Sequence, residues 1–418
     1  MAREMKDSGF PWIGSIPKQW KVLPAQRGFT EVKRKNVDGA VQKALQFKFG
    51  QIIPKSNFDA DSDDYVAGTI TSYTIVEPGT IMINGLNLNY DFKTQRTGLV
   101  KEPGIITSAY LALWPDRSMI TSEYATYLFK GYETRMALHN MGAGIRLTLG
   151  YKEFKKQPVL FPSIEEQVQI TGFLDTECAR IDAVIEQTRA SIEEYKKFKA
   201  GKIDSTILKH ENEQNCYLKL SYIGQLKNGL NYKENSTEHS VKFLGVGNFK
   251  DYMILDSADM FSDIPIGEIP EEYLLQDGDI IFVRSNGSKE LVGRSVMVNN
   301  IDFPLTYSGF CIRFRNKNPD LVNNRYLLFF FRSERFKELL KVGSGGTNIN
   351  NLSQDVLNSI RIPVPSMMRQ EEVVTTLSNI SEQIDSLLAN KNALISELEN
   401  YKRSLIFEYV TGKKEVPA

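Results

Sequence analysis

Residues 161–182 read FPSIEEQVQITGFLDTECARID, and residues 364–385 read VPSMMRQEEVVTTLSNISEQID, nearly the same statement at a constant offset of 203. Pro162–Ser163 match Pro365–Ser366, Gln167 matches Gln370, Leu174 matches Leu377, and Ile181–Asp182 match Ile384–Asp385. Further on, Ile192, Glu194, Lys199 and Ile203 match Ile395, Glu397, Lys402 and Ile406, and no gap is needed from Pro162 to Lys209. An internal repeat of this length governs the architecture before any local reading does.

The repeated segments read as long helices. Ile164, Val168, Leu174, Ile181, Val184, Ile185, Ile192, Tyr195, Ile203 and Ile207 recur mainly in steps of three, four and seven. Leu377, Ile380, Ile384, Leu388, Ile395, Leu398, Tyr401, Leu405 and Tyr409 repeat that period. Each copy opens on proline followed by Ser163 or Ser366, a helix-capping residue, and Gly412 closes the second. A helix of about 45 residues is roughly 65 to 70 Å long. A single apolar stripe of that length calls for a partner helix, and the other copy is the economical one. Antiparallel pairing would put one globular block at either end of a rod; packing of each helix on its own block is the alternative.

The chain has 418 residues, 51 basic and 51 acidic, with 41% hydrophobic and 24% charged residues. That length favours two or three domains and that composition an ordinary globular fold. No apolar run approaches the roughly 18 residues of a membrane span, and MAREMKDSGFPW has no signal-peptide character, so a cytoplasmic location is expected. Cys178, Cys216 and Cys311, with His139, His210 and His239, lack metal-ligand spacing, so neither a zinc site nor a disulfide framework is expected. The zero net charge hides local fields. From Lys18 to Lys48, a stretch that includes Lys33 and Arg34, eight basic residues face two acidic ones; from Arg313 to Lys341, which includes Arg332, eight face three.

A block of short strand and turn signals precedes each helix. TIVEPGTIMIN (74–84) corresponds to YLLQDGDIIFVRSN (273–286), with Gly79 and Gly278 at the turn. GIITSAYLALWP (104–115) corresponds to PLTYSGFCIRFR (304–315), and EYATYLFKGY (123–132) to NRYLLFFFRS (324–333). The helices align cleanly and the blocks only in outline: a duplicated scaffold with two diverged heads. No catalytic signature accompanies them. GSGGTN (343–348) lacks the lysine of a phosphate-binding loop, the GVG at 245–247 precedes no helix, and no nucleophile elbow occurs.

Base edges are read by Arg, Lys, Asn, Gln and Ser, whereas phosphate contacts only position. The first head concentrates Asn84, Asn87, Asn89, Tyr90, Lys93, Gln95 and Arg96; the second supplies Arg284, Ser285, Asn286, Ser288, Lys289 and Arg294 at the corresponding place. Glycine loops before each long helix add Arg146 and Asn348. Polar hairpin turns would account for the same residues.

In order along the chain, DSGFPWIGSIPKQWKV (7–22), PSIEEQ (162–167), GDIIFVRSNGS (278–288) and YKRSLIFEYVTGK (401–413) together resemble the specificity subunit of type I restriction-modification enzymes. The resemblance implies an α+β chain in which two target recognition domains are separated by two long helices paired as an antiparallel coiled coil. On it, residues 1–158 hold an N-terminal segment and the first recognition domain, 159–212 a conserved helical region, 213–361 the second recognition domain and 362–418 a second helical region. It implies no catalysis by this chain. Double-stranded DNA would be read as a bipartite, asymmetric site with the helices as a ruler. Two modification subunits using S-adenosylmethionine to methylate adenine, and two restriction subunits using ATP and magnesium to cleave, would be the partners. The helical regions would bind the modification subunits, with Gln167, Ile181, Ile185, Gln370, Ile384 and Leu388 as candidate contacts. From a different class, a coiled-coil scaffold joining two modules that do not bind nucleic acid is the competing reading.

Overall fold

The computed structural model describes residues 3–55, 70–89, 95–144, 147–211, 216–231, 240–249, 253–265, 269–285, 291–343 and 351–417. It divides into two units, Met1–Thr188 with Asn392–Ala418, and Arg189–Lys391. The two repeated segments form helices Ile164–Glu211 and Met367–Val410, here called the central and C-terminal helices.

In the first unit a four-stranded antiparallel sheet runs in the order Phe29–Glu31, Leu111–Pro115, Ile81–Ile83, Thr97–Leu99. Gly79 enters the central strand at φ +96°, a conformation that suits glycine, and donates to Val100 O. Helix Ser122–Glu133 covers the sheet, its Thr121 cap accepting from the Tyr124 amide at 3.2 Å. Phe29, Ile83, Leu113, Tyr124, Phe129 and Phe154 form the core, and Ile170, Leu174, Cys178, Leu405, Ile406 and Val410 of the long helices belong to the same cluster. At Gly131 an added Cβ would lie 2.7 Å from the Val410 side chain, so the head helix approaches the C-terminal helix closely only because that position has no side chain.

The second unit repeats the plan. Its sheet runs Gly224–Asn228, Cys311–Asn316, Ile280–Val283, Ser295–Val298, with Ile254–Leu255 added in parallel at the edge. Gly278, at φ +84°, donates to Val298 O as Gly79 does to Val100 O. Helix Asn324–Arg332 starts on Asn323, whose side chain accepts from the Arg325 amide at 2.8 Å. Phe282, Phe314, Phe330, Phe331 and Phe336 fill this core, which also takes in Ile203, Ile207, Val373 and Leu377. In each unit, therefore, the helical stripe is shared between the head and the opposite helix. Both expectations for its packing hold in part.

Within the first unit the helices run antiparallel: Phe173 stacks near Tyr409 with centroids 4.5 Å apart, and Lys402 Nζ reaches Asp182 at 2.6 Å. Within the second, Lys391 lies over Tyr195 and Lys199 Nζ reaches Asp385 at 2.7 Å. Asp182 and Asp385, like Lys199 and Lys402, are repeat equivalents, so one ion pair occurs twice. Both aspartates are more than half exposed, which limits each pair to below about 1 kcal/mol. Asp182→Asn is accordingly expected to shift the urea midpoint of unfolding only slightly; a loss above about 2 kcal/mol would show that the pair does more than fix register.

The stripe differs from the spacing in detail. Ile164, Val168, Val184 and Tyr401 are exposed, whereas Ile170, Cys178 and Thr188 are buried. Apolar spacing reports the helical period, but the neighbours select which face is covered.

The N-terminal segment folds onto the first unit. Trp20 is fully buried, its indole donating to Glu166 at 2.8 Å, and Arg3 reaches the same carboxylate. Lys413 donates to Ile13 O at 2.8 Å, and Gly412, at φ +69°, sits where a Cβ would lie 2.4 Å from Pro17. The motifs at the two chain ends thus pack on each other.

Candidate nucleic-acid interface

The polar stretch of the first head is a loop tied down at several points. Leu88 is fully buried and its amide donates to Leu147 O; Gly85 O accepts from the Leu149 amide; Asn84 Oδ1 accepts from the Leu86 amide at 3.2 Å. Asn87, at φ +51°, is exposed at the turn, a conformation that asparagine tolerates better than most residues. Asn89 is half-buried and Gln95 exposed beside the Phe49–Gly50 turn of the 45–54 hairpin.

Arg96 has a different position. It is 1% exposed, and its guanidinium donates to Asn84 O at 3.0 Å, Leu86 O at 2.8 Å and Asn87 O at 3.5 Å. Five donors on a rigid fork suit it to holding three carbonyls from beneath, and that burial keeps it from the surface where a base would lie. The expectation of a base contact from Arg96 is therefore corrected to bracing of the loop.

Lys33 and Arg34 are exposed, each beside a carboxylate: Glu31 at 2.9 Å and Glu77 at 3.2 Å. Glu31 raises the Lys33 ammonium above its ordinary pKa. In the second head Arg284 and Ser285 are half-buried; the Arg284 carbonyl accepts from the Leu352 amide, and Ser285 bridges to Asn351. Arg294 is half-buried, its carbonyl accepting from the Val283 amide as Arg96 O accepts from the Asn84 amide. Arg332 donates to Ser295 O at 3.1 Å. Two arginines counted toward the second basic segment are committed within the head: Arg313 is 3% exposed and donates to Glu272 O, and the half-buried Arg315 is paired with the buried Asp279 at 2.7 Å. Asp279 raises the Arg315 guanidinium further. Tyr90, Lys93, Arg146, Asn286, Ser288, Lys289 and Asn348 lie outside the described residues.

The candidate partner contacts on the helices are mostly interior. Gln167 and Gln370 are fully buried. Gln167 Oε1 accepts from the Thr121 amide at 2.8 Å while its Nε2 donates to Met119 O and Pro162 O; Gln370 accepts from the Asn323 amide at 2.8 Å and donates to Leu321 O and Pro365 O. Each glutamine ties the start of a long helix to the cap of its head helix, a role that the repeat's exact retention of glutamine could have signalled. Ile181, Ile185 and Ile384 are buried and Leu388 half-buried, so in this structure they serve packing within the chain. The large apolar side chains exposed on these helices are others: Ile164, Val168, Val184, Leu394 and Tyr401 in the first unit, and Phe198, Leu208 and Met368 in the second.

Comparison with known proteins follows the same line. The family described as type I restriction modification DNA specificity domain matches residues 227–399. The type I restriction enzyme StySPI specificity subunit of Salmonella potsdam is 25% identical over 183 residues, 44% of this chain and 38% of that protein. The EcoKI specificity subunit of Escherichia coli K12 is 25% identical over 150 residues, 36% of this chain and 32% of that protein. Over residues 227–399, and in those partial alignments, the chain is similar to specificity subunits of type I restriction enzymes. It matches less than two-fifths of the length of those two relatives. A structure solved in a study of complex assembly and conformational transition of the type I R-M system aligns over 96% of this chain and 99% of that one, with a TM-score of 0.69 at 12% identity. That likeness shows a shared fold of mixed sheets and helices with two long helices. No helix among the described residues is long and apolar enough to cross a membrane, and no group of His, Cys, Asp or Glu among them could hold a metal ion.

Proposed function

We propose that this chain is the DNA-reading, non-catalytic subunit of a type I restriction-modification complex, recognising a bipartite asymmetric site with one head per half. The observation that carries the reading is the duplication: two heads with one sheet order, each joined to a long helix through the same buried glutamine clamp. Two similar heads of different surface sequence suit two different half-sites. Residues 1–158 and 213–361 would hold the recognition domains, and 159–212 and 362–418 the regions that dock partners. Asn87, exposed on its braced loop, and the exposed Gln95 are the leading base-contact candidates in the first head; Arg284 and Ser285 are those in the second. Lys33 and Arg34 would meet phosphate.

The exposed apolar residues of the long helices, such as Val168 and Phe198, are the surface offered to two methyltransferase subunits. S-adenosylmethionine, ATP and magnesium would belong to those and to two helicase-nuclease subunits, in the cytoplasm. With zero net charge, the isolated chain is expected to bind DNA weakly and to need its partners to enclose the duplex.

Methylome sequencing tests the reading, in a host expressing the chain with its modification subunit, before and after exchange of residues 213–361 for another head. A split adenine-methylated motif is expected, of which only one half changes. Absence of any motif that depends on this chain would overturn it, and would favour a scaffold joining modules that do not bind nucleic acid.

A further inference from the structure

The two heads are internal controls for one another, and at one position they part. Lys130 and Arg332 each lie nine residues beyond their helix caps, Thr121 and Asn323. Arg332 is engaged with the Ser295 carbonyl. Lys130 is half-buried and makes no hydrogen bond or ion pair among the described residues. Burial lowers its pKa, the neighbouring Glu133 carboxylate opposes this, and the like charges of Lys402 and Lys101 add to the lowering.

Lys130 lines a cleft of about 670 Å³ that lies wholly within the first unit, between the 45–54 hairpin, the 122–133 helix and the long helices. The carboxylates around it are largely committed: Asp182 to Lys402, Asp175 to the Tyr127 hydroxyl at 2.7 Å, and Glu102 to Lys43. Among the described residues Lys130, Lys101 and Arg403 are left without an ion pair, and Lys130 cannot turn to bulk water as freely as the other two. Glu133 Oε2 accepts from the Arg96 amide while Oε1 has no hydrogen-bond partner. The lining also includes the apolar Ile52, Leu99 and Ile406, and Phe49 stands 75% exposed at the hairpin tip, φ +47°. Uncommitted cations, apolar side chains and an exposed ring lining one cleft are the elements that take a phosphate ester carrying a flat ring, and the volume is that of a small-ligand site.

We propose that this cleft binds a nucleoside phosphate, with the phosphate on Lys130 and Lys101 and the ring against Phe49. The same chemistry is offered by a free nucleotide and by a nucleotide unit of DNA. The second head, its equivalent cation tied to its own strand, is not expected to bind one.

Calorimetric titration of the full chain with inorganic phosphate, ADP and a short DNA duplex tests this. Saturable binding of ADP is expected, weakened at least tenfold in Lys130→Gln; Phe49→Ser should weaken ADP while leaving inorganic phosphate unchanged. Lys130→Gln removes a desolvated charge, and below pH 7, where Glu133 holds its proton, it is expected to fold at least as well as the parent, which a thermal melt checks. Binding of the duplex alone, with the same dependence on Lys130, would make DNA the source of the nucleotide. Failure of all three probes to saturate in the millimolar range, or equal binding by Lys130→Gln, would overturn the site, and neither result bears on whether the heads select a methylation motif.

Discussion

Gln167→Ala is expected to lower the stability of the first unit by about 3 kcal/mol. The amide is fully buried and makes three hydrogen bonds, to the Thr121 amide and to the Met119 and Pro162 carbonyls. Truncation leaves one donor and two acceptors of the main chain in a space that alanine does not fill, and each buried group left unpaired costs roughly 1 to 3 kcal/mol, less whatever entering water recovers. Gln370→Ala should cost a similar amount in the second unit, where the Asn323 amide and two carbonyls are stranded in the same way. Urea unfolding followed by a probe in each unit would measure both, with Gln169→Ala, at an exposed position two residues away, as the control. A loss below about 0.5 kcal/mol for either glutamine would mean that the clamp is not what joins helix to head.

The second large effect concerns pH. Glu133 ends the helix that covers the first head's sheet, and burial pushes its carboxyl up to about 7, against the nearby Thr97 hydroxyl, the hydrogen bond from the Arg96 amide and the charges of Lys130 and Arg96, all of which pull it down. Because the folded chain holds this proton more tightly than the unfolded one, folding is favoured most below the ordinary value of 4.5 and weakened as pH rises through 7. A rise of this size corresponds to roughly 3 kcal/mol once the group is ionised. Glu133→Gln keeps the shape and removes the titration, so the variant is expected to be more stable than the parent by about 2 to 3 kcal/mol at pH 8 and little different at pH 5. Parallel urea titrations at the two pH values check this. An equal fall in stability from pH 5 to pH 8 in parent and variant would assign the dependence to other groups.

The repeat made much of the molecule legible in advance. Equal residues at an offset of 203 turn out to have equal roles: Gln167 and Gln370 clamp helix to head, and Asp182 with Lys402 repeats as Asp385 with Lys199. Helical spacing predicted two long helices, and they span 48 and 44 residues. Turn glycines also marked the heads, since Gly79 and Gly278 both need positive φ ahead of a central strand. These features follow from backbone stereochemistry and from duplication, which are written along the chain.

What the chain order could not decide was direction. Val168 and Val184 are as apolar as Ile181 yet face outward, while Cys178 and Thr188 are enclosed, because the packing neighbours come from residues 392–410 and from the first head's core. Asn87 and Arg96 belong to one polar stretch, but a residue's exposure depends on what folds over it: the turn carries Asn87 out, and three carbonyls draw Arg96 in. Nor does the sequence say that Arg332 is engaged by a strand carbonyl; the Ser295 carbonyl reaches it only in the folded head. The sequence by itself determined the repeat, the helices and the family resemblance, since these depend on residue type and spacing. The tertiary structure decided which polar groups are spent inside the protein, since a hydrogen bond across 46 or 163 residues exists only after the chain has brought its ends together.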